Sequence, residues 1–155
     1  MSTTDNIVFK NNLKQFCQHA IEQRIAAAKE MIQNAQEAAN AEEKSSAGDK
    51  YETGRAMGHL QKDMHARQLT ENIKELADLQ GIHTDQVYHY AIAGAFIETA
   101  VASFFIAAGL GKQIIEGKTI FFLSPHAPLA VLLQNKKKGD SFIFMRDSIV
   151  ITDLY

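Results

Sequence analysis

Leu13, Cys17, Ile21, Ile25, Ala28, Ile32, Ala35 and Ala39 recur at steps of three and four, and no proline occurs before Pro125. Such spacing draws one apolar stripe along a helix, which leaves the front of this chain few alternatives. A helix from Leu13 to about Ala41 would be roughly 40 Å long at 1.5 Å per residue. Its stripe tapers from Leu and Ile to alanine, so its far part can pack closely against one slim partner and little else. The segment Lys44-Ser45-Ser46-Ala47-Gly48 interrupts the pattern, and Asp49 opens a second helical stretch. There Leu60, Met64, Leu69, Ile73, Leu76 and Leu79 are expected to carry the apolar face as far as Gly81. Two long helices joined by so short a turn must run antiparallel, which places Ser45 to Glu52 at the far tip of a coiled-coil hairpin.

Beyond Gly81 the composition changes. Both prolines and seven of the nine phenylalanines lie after residue 90. Short aromatic and β-branched runs at Tyr88–Glu98, Ala102–Ala108, Lys118–Leu123, Phe142–Met145 and Ile149–Leu154 predict strands. Pro128-Leu129-Ala130-Val131-Leu132-Leu133 predicts a short helix with proline in its first turn. The expected fold class is therefore α+β. A helical hairpin over residues 1–81, its tip at about 44–52, precedes a small, mostly antiparallel β domain over residues 82–155.

Charge and cysteine content exclude several functions. The net charge is -2, which offers no general attraction to nucleic-acid phosphates, so autonomous DNA binding is not expected. The single cysteine, Cys17, permits neither an intrachain disulfide nor a cysteine-based zinc site, and its place on the first stripe makes it a packing residue. The start is polar and no charge-free apolar run of about 18 residues occurs, so no membrane association is expected and the chain is read as cytoplasmic. His59 and His65 are six apart, as are His83 and His89, a spacing that suits no helical metal pair. Gly109-Leu110-Gly111-Lys112 lacks the remaining residues of a phosphate loop and is read as a β-turn. Lys136-Lys137-Lys138 is read as a solvated turn able to touch an acidic partner.

The tip is acidic, with Glu42, Glu43, Asp49 and Glu52 close in sequence. Asp49 and Glu52 are three apart and share one helical face, where two carboxylates can share a hard cation such as Mg²⁺. The same pair equally forms a helix cap with a glutamate at the third helical position, which needs no function. Both readings stand on spacing alone.

A hairpin of this length followed by a small β domain resembles the bacterial Gre (GreA/GreB) transcript-cleavage factors. The tip Gly48-Asp49-Lys50-Tyr51-Glu52 reproduces their Gly-Asp-x-x-Glu, and Ala127-Pro128-Leu129-Ala130 stands where they carry Ser-Pro-Ile-Ala. Asn135-Lys136 and Gly139-Asp140 follow at matching spacing, with Asn135 in place of a glycine. Thr53-Gly54-Arg55-Ala56 departs from their Asn-Ala-Glu-Tyr after the tip.

This resemblance implies an FKBP-like β domain and a transcription elongation factor that binds RNA polymerase at its secondary channel. It implies that Asp49 and Glu52 assist the polymerase's Mg²⁺ in cleaving backtracked RNA, so contact with the RNA 3′ end is indirect. Pro128, Lys136, Gly139 and Asp140 become the partner-binding residues. The chain would be no enzyme itself, and would hold no cofactor beyond the Mg²⁺ shared at the polymerase site. The alternative is a non-catalytic regulator that occupies the same channel and competes there without stimulating cleavage.

Overall fold

The structure, a computed structural model, describes residues 2–45 and 49–155, without the side chains of residues 42–45 and 49–55. Along the chain run α1 (Thr3–Ser45), α2 (Asp49–Gln80), β1 (Phe96–Thr99), β2 (Ser103–Ile106), β3 (Gly111–Ile115), β4 (Lys118–Leu123), α3 (Pro128–Leu133), β5 (Ser141–Phe144) and β6 (Asp147–Leu154). The class is α+β, as expected. Met1–Gln18 with Asp78–Tyr155 forms one compact unit and His19–Ala77 a second, so the first turns of α1 group with the strands. The sequence expectation had set the division at residues 81 and 82.

The sheet unit carries six strands in the order β3-β4-β2-β1-β6-β5. Every neighbouring pair is antiparallel except β2 with β4, which is parallel. Side chains alternate between the two faces, and aromatic residues divide accordingly. Phe96, Phe105 and Phe122 face the start of α1, where Phe9 meets Phe96 edge-on at 5.1 Å and Phe16 lies 5.5 Å from Phe122. On the opposite face Phe104 sits among Phe121, Phe142 and Phe144 at 5.2–5.7 Å. Ala130 and Leu133 of α3 join that second cluster with Ile97 and Ile151. Both faces of the sheet are thus covered, one by each flanking helix.

Two strand expectations need correction. Residues 88–95 are not strand: β1 begins at Phe96, and the preceding segment is irregular. Gly111 and Lys112 belong to β3 and pair with Phe122 and Phe121, so the expected β-turn is an edge strand there. The helix α1 also begins ten residues earlier than expected, at Thr3.

The irregular segment is held by α1. Lys10 is fully buried, its Nζ donating to Gln86 O at 2.6 Å and Gly94 O at 3.1 Å, 4.6 Å from the Tyr88 ring centroid. Thr84 Oγ1 donates to Asn11 Oδ1 at 2.6 Å, and Lys14 Nζ donates to Ile82 O at 2.7 Å. The bonds from Lys10 and Lys14 satisfy backbone carbonyls that no strand ladder reaches. Gly94 has φ 95°, and a Cβ there would lie 2.4 Å from His83 O, so no other residue fits.

Burial pushes the Lys10 ammonium down to about 8, with the Asp85 carboxylate acting in the opposite direction. Between about pH 8 and the ordinary lysine value of about 10.4 the unfolded chain therefore binds more protons at this residue than the folded one, and stability rises with pH. The full effect is on the order of 3 kcal/mol. Urea unfolding at pH 7.5 and pH 10 is expected to show this gain, and Lys10→Met to lack it. An identical pH dependence in the two proteins would count against the assignment.

Tyr155 is buried, stacks on Phe96 at 5.3 Å, and exchanges both backbone hydrogen bonds with it. Its hydroxyl has no hydrogen-bond partner among the described residues. Burial, then Glu98 and Asp153, raise its pKa above the ordinary tyrosine range. A buried hydroxyl left unpaired costs about 1–3 kcal/mol. Tyr155→Phe is accordingly expected to raise the thermal midpoint or leave it unchanged, and a clear drop would show that the hydroxyl has a partner.

Candidate functional site

The helical unit holds the positions expected to form the acidic tip. In α1 the buried positions Ile21, Ala28, Ala35 and Ala39, with half-buried Ile25 and Ile32 between them, form a seam spaced by three and four residues. In α2 the inward positions are Gly58, Lys62, His65, Leu69, Asn72 and Leu76, with the same alternating spacing. Contacts between the helices run in opposite directions along the chain. Gly58 lies against Ala39, where an added Cβ would stand 3.1 Å from the Ala39 methyl. Lys62 Nζ donates to Gln36 Oε1 at 2.8 Å, and Arg24 Nη1 stands 3.8 Å from Glu75 Oε2. The two helices are therefore antiparallel.

This seam corrects the expected apolar face of α2. Leu69, Leu76 and Leu79 do turn inward, but Leu60, Met64 and Ile73 are about half exposed. The alanines of α1 let the helices approach closely. At that distance, inward positions favour a glycine or a long side chain whose stem lies along the partner while its polar end reaches the edge, as Lys62 does with Gln36. The His65 Nδ1 in this seam is buried and without a hydrogen-bond partner among the described residues.

α1 ends at Ser45 and α2 opens at Asp49, so the connection falls at residues 46–48, which lie outside the described residues. Asp49 and Glu52 occupy the first turn of α2, and their side chains lie outside the described residues, as do those of Glu42 and Glu43. Helical spacing puts the carboxylate-bearing positions 49 and 52 on one side of that turn. The positive end of the helix dipole favours negative charge there, whether the carboxylates cap the helix or meet a cation. Among the described residues no group of three or more His, Cys, Asp or Glu side chains is placed to hold a metal ion.

The other expected site residues belong to the sheet unit. Pro128 opens α3, preceded by Ala127 in extended conformation, and its fixed φ suits the first helical position. Asn135 follows α3 with φ 66°, the left-handed conformation that asparagine tolerates better than most residues. Its N–H donates to Ala91 O at 2.9 Å, and Lys136 O accepts from Ala91 N–H at 2.8 Å. Lys136 is half-buried. Asp140 Oδ2 accepts the Lys137 N–H at 2.8 Å, closing the turn in which Gly139 has φ 93°. The Gly139 N–H then donates to Ile151 O at 2.8 Å. Local turn geometry thus accounts for Gly139-Asp140.

A concavity of about 320 Å³ lies between the Ala91–Ala93 segment and α3, lined by Ile92, Ile106, Pro125, His126, Val131 and Gln134 among others. The strand reading of residues 88–95 concealed it. Its sequence signal was slight: Ile92 lies in a segment read as strand and Val131 in a predicted helix, and both are exposed. The structure brings Asn135 and Lys136 against Ala91 at this end of the sheet, whereas Asp49 and Glu52 stand in the other unit.

Among the described residues no helix is long and apolar enough to cross a membrane. No family model, no curated protein and no solved structure matches this chain.

Proposed function

We propose that this chain is a Gre-like accessory factor of RNA polymerase, whose helical hairpin enters the polymerase's secondary channel and brings Asp49 and Glu52 to the active site. The observation that carries the reading is the pair of long antiparallel helices whose connection falls at residues 46–48, immediately before Asp49. An acidic pair opening the return helix is what such a device requires. The six-stranded, mostly antiparallel sheet with one short helix supports assigning the sheet unit as the FKBP-like domain of these factors. Pro128, Lys136, Gly139 and Asp140 are proposed as part of its docking surface.

In this reading the chain has no complete catalytic centre of its own. Asp49 and Glu52 would supply oxygen ligands to a Mg²⁺ otherwise held by the polymerase, and the metal when bound supplies charge stabilisation for hydrolysis of the RNA. Their part is to raise negative charge where the cation must sit and to keep it there. The hairpin's part is to deliver that pair at the end of a stiff rod.

The deciding experiment is RNA cleavage in stalled, backtracked elongation complexes with wild type and the Asp49→Asn, Glu52→Gln double variant. A wild type that binds polymerase but stimulates no cleavage would leave the alternative, a channel regulator that competes with other factors.

A further inference from the structure

The sheet ends on β5, which pairs with β6 on one side only. Phe144 of β5 pairs with Asp147 of β6, and between them Met145 and Arg146 have φ of 52° and 73°. A two-residue connection with both φ positive is a type I′ turn, a conformation that Met and Arg adopt under strain. Such a turn closes on residues that exchange both ladder hydrogen bonds, so Phe144 and, two residues away, Phe142 bond inward to β6. Ser141 and Ile143 therefore turn their N–H and C=O groups to the outer edge, where no other bond takes them up among the described residues.

Sheet edges are commonly blunted by charge or proline. β5 has neither: Ser141-Phe142-Ile143-Phe144 is uncharged, and Ile143 is 59% exposed. Free ladder groups are satisfied by another extended backbone, and the alternating side chains fit a second copy of the same strand. Asp140, Phe142, Phe144 and Arg146 alternate with Ser141, Ile143 and Met145. When two copies run antiparallel about Ile143, Phe142 of each stands opposite Phe144 of the other, and Asp140 of each comes to Arg146 of the other. Both charged residues are exposed, and Arg146 forms no ion pair among the described residues. The opposite edge fits less well. Its strand β3 carries Lys112, and pairing β5 of one copy with β3 of the next gives an open chain of copies, whereas β5 with β5 closes on a twofold axis.

We propose that β5 is a self-association edge, which joins two copies of this chain through an antiparallel β5–β5 pair centred on Ile143, with an Asp140–Arg146 ion pair at each end. The strand has four residues, too few for the ~800 Å² per partner of a standard stable interface, so the pair is reversible and forms at high concentration. The pairing does not rest on the polymerase reading.

Sedimentation equilibrium of the full-length protein from about 10 µM to about 1 mM is expected to show the mass rising from one chain toward two. Ile143→Lys sets like charges opposite each other at the centre and is expected to weaken association about tenfold. Arg146→Asp and Asp140→Lys each bring like charges together at both ends, and each alone is expected to weaken it about fivefold. An equal mixture of those two variants regains both opposite-charge contacts and is expected to associate as wild type does. A wild type that stays monomeric throughout leaves the edge to some other strand and overturns the proposal. Association that Ile143→Lys leaves within about twofold, assembly beyond two copies, or a mixture no more associated than its parts overturns it as well. Asp140→Lys also gives up the Lys137 N–H bond, so melting temperatures are recorded on every sample. Should that variant not fold, Arg146→Asp decides by itself, and association equal to wild type overturns the pairing.

Discussion

Cleavage of backtracked RNA is expected to be lost when Asp49 and Glu52 are replaced together by Asn and Gln, while binding to polymerase is kept. The substitutions preserve size and most hydrogen-bond acceptors. Asn is as good a helix N-cap as Asp, and Gln can still reach back to close a capping box, so a purely structural role would lose at most a few tenths of a kcal/mol. A shared Mg²⁺ site deprived of both formal charges loses nearly all its affinity, because that cation prefers anionic oxygen and sheds its waters reluctantly. The two roles therefore differ by orders of magnitude in the cleavage rate. A Mg²⁺ titration of the stalled complexes makes the comparison quantitative. Equal cleavage by wild type and the double variant would end the metal role, leaving Asp49 and Glu52 as caps. Binding measured on the same samples separates failure to dock from failure to cleave.

Phe104→Ala is expected to destabilise the sheet unit by about 3–5 kcal/mol, the range for deleting a buried aromatic ring. Phe104 is fully buried in β2, a central strand flanked by β4 and β1. Its ring stacks on Phe121 at 5.6 Å and meets Phe142 and Phe144 edge-on at 5.7 and 5.2 Å, so three partners lose contact area at once. The neighbours come from two strands, β4 and β5, whose backbones are fixed by ladder bonds, which restricts collapse around the hole. Ile114→Ala offers the contrast, since that edge-strand side chain is 68% exposed and its loss should cost under about 0.5 kcal/mol. Urea unfolding followed by far-UV circular dichroism measures both. A loss below about 1 kcal/mol for Phe104→Ala would mean that the cluster repacks freely, against the close packing expected of a core.

Local pattern carried much of this fold. The three-and-four spacing from Leu13 to Ala39 was enough for α1, because an amphipathic helix has to turn that stripe toward a partner wherever the rest of the chain lies. The break at residues 44–48 and Asp49 placed the turn between the helices within a few residues. Pro128 marked the start of α3, and the runs around Phe104, Phe121 and Phe142 marked strands, each from residues adjacent in sequence. Asn135 suits its left-handed φ of 66°, because backbone tolerance belongs to the residue itself.

Other features depend on neighbours far along the chain. Residues 88–95 carry the aromatic and β-branched content of a strand, yet Lys10 takes the Gly94 carbonyl, and Lys10, Asn11 and Lys14 hold Gln86, Thr84 and Ile82 just before them, from far away in sequence. β3 has the glycine and lysine of a turn, and becomes a strand because β4 offers it a free edge. The inward face of α2 follows the closeness that alanines in α1 permit, so Lys62 and His65 turn in while Leu60 and Met64 remain outside. The sequence by itself determined the helices, most strands and the acidic pair at the turn, since short-range sterics and hydrophobic period act within a few residues. Strand order, the parallel β2–β4 pair, the buried lysine and the strained Met145-Arg146 turn were decided only in the tertiary structure, where long-range packing and hydrogen-bond satisfaction outweigh propensities worth about 1 kcal/mol or less per residue.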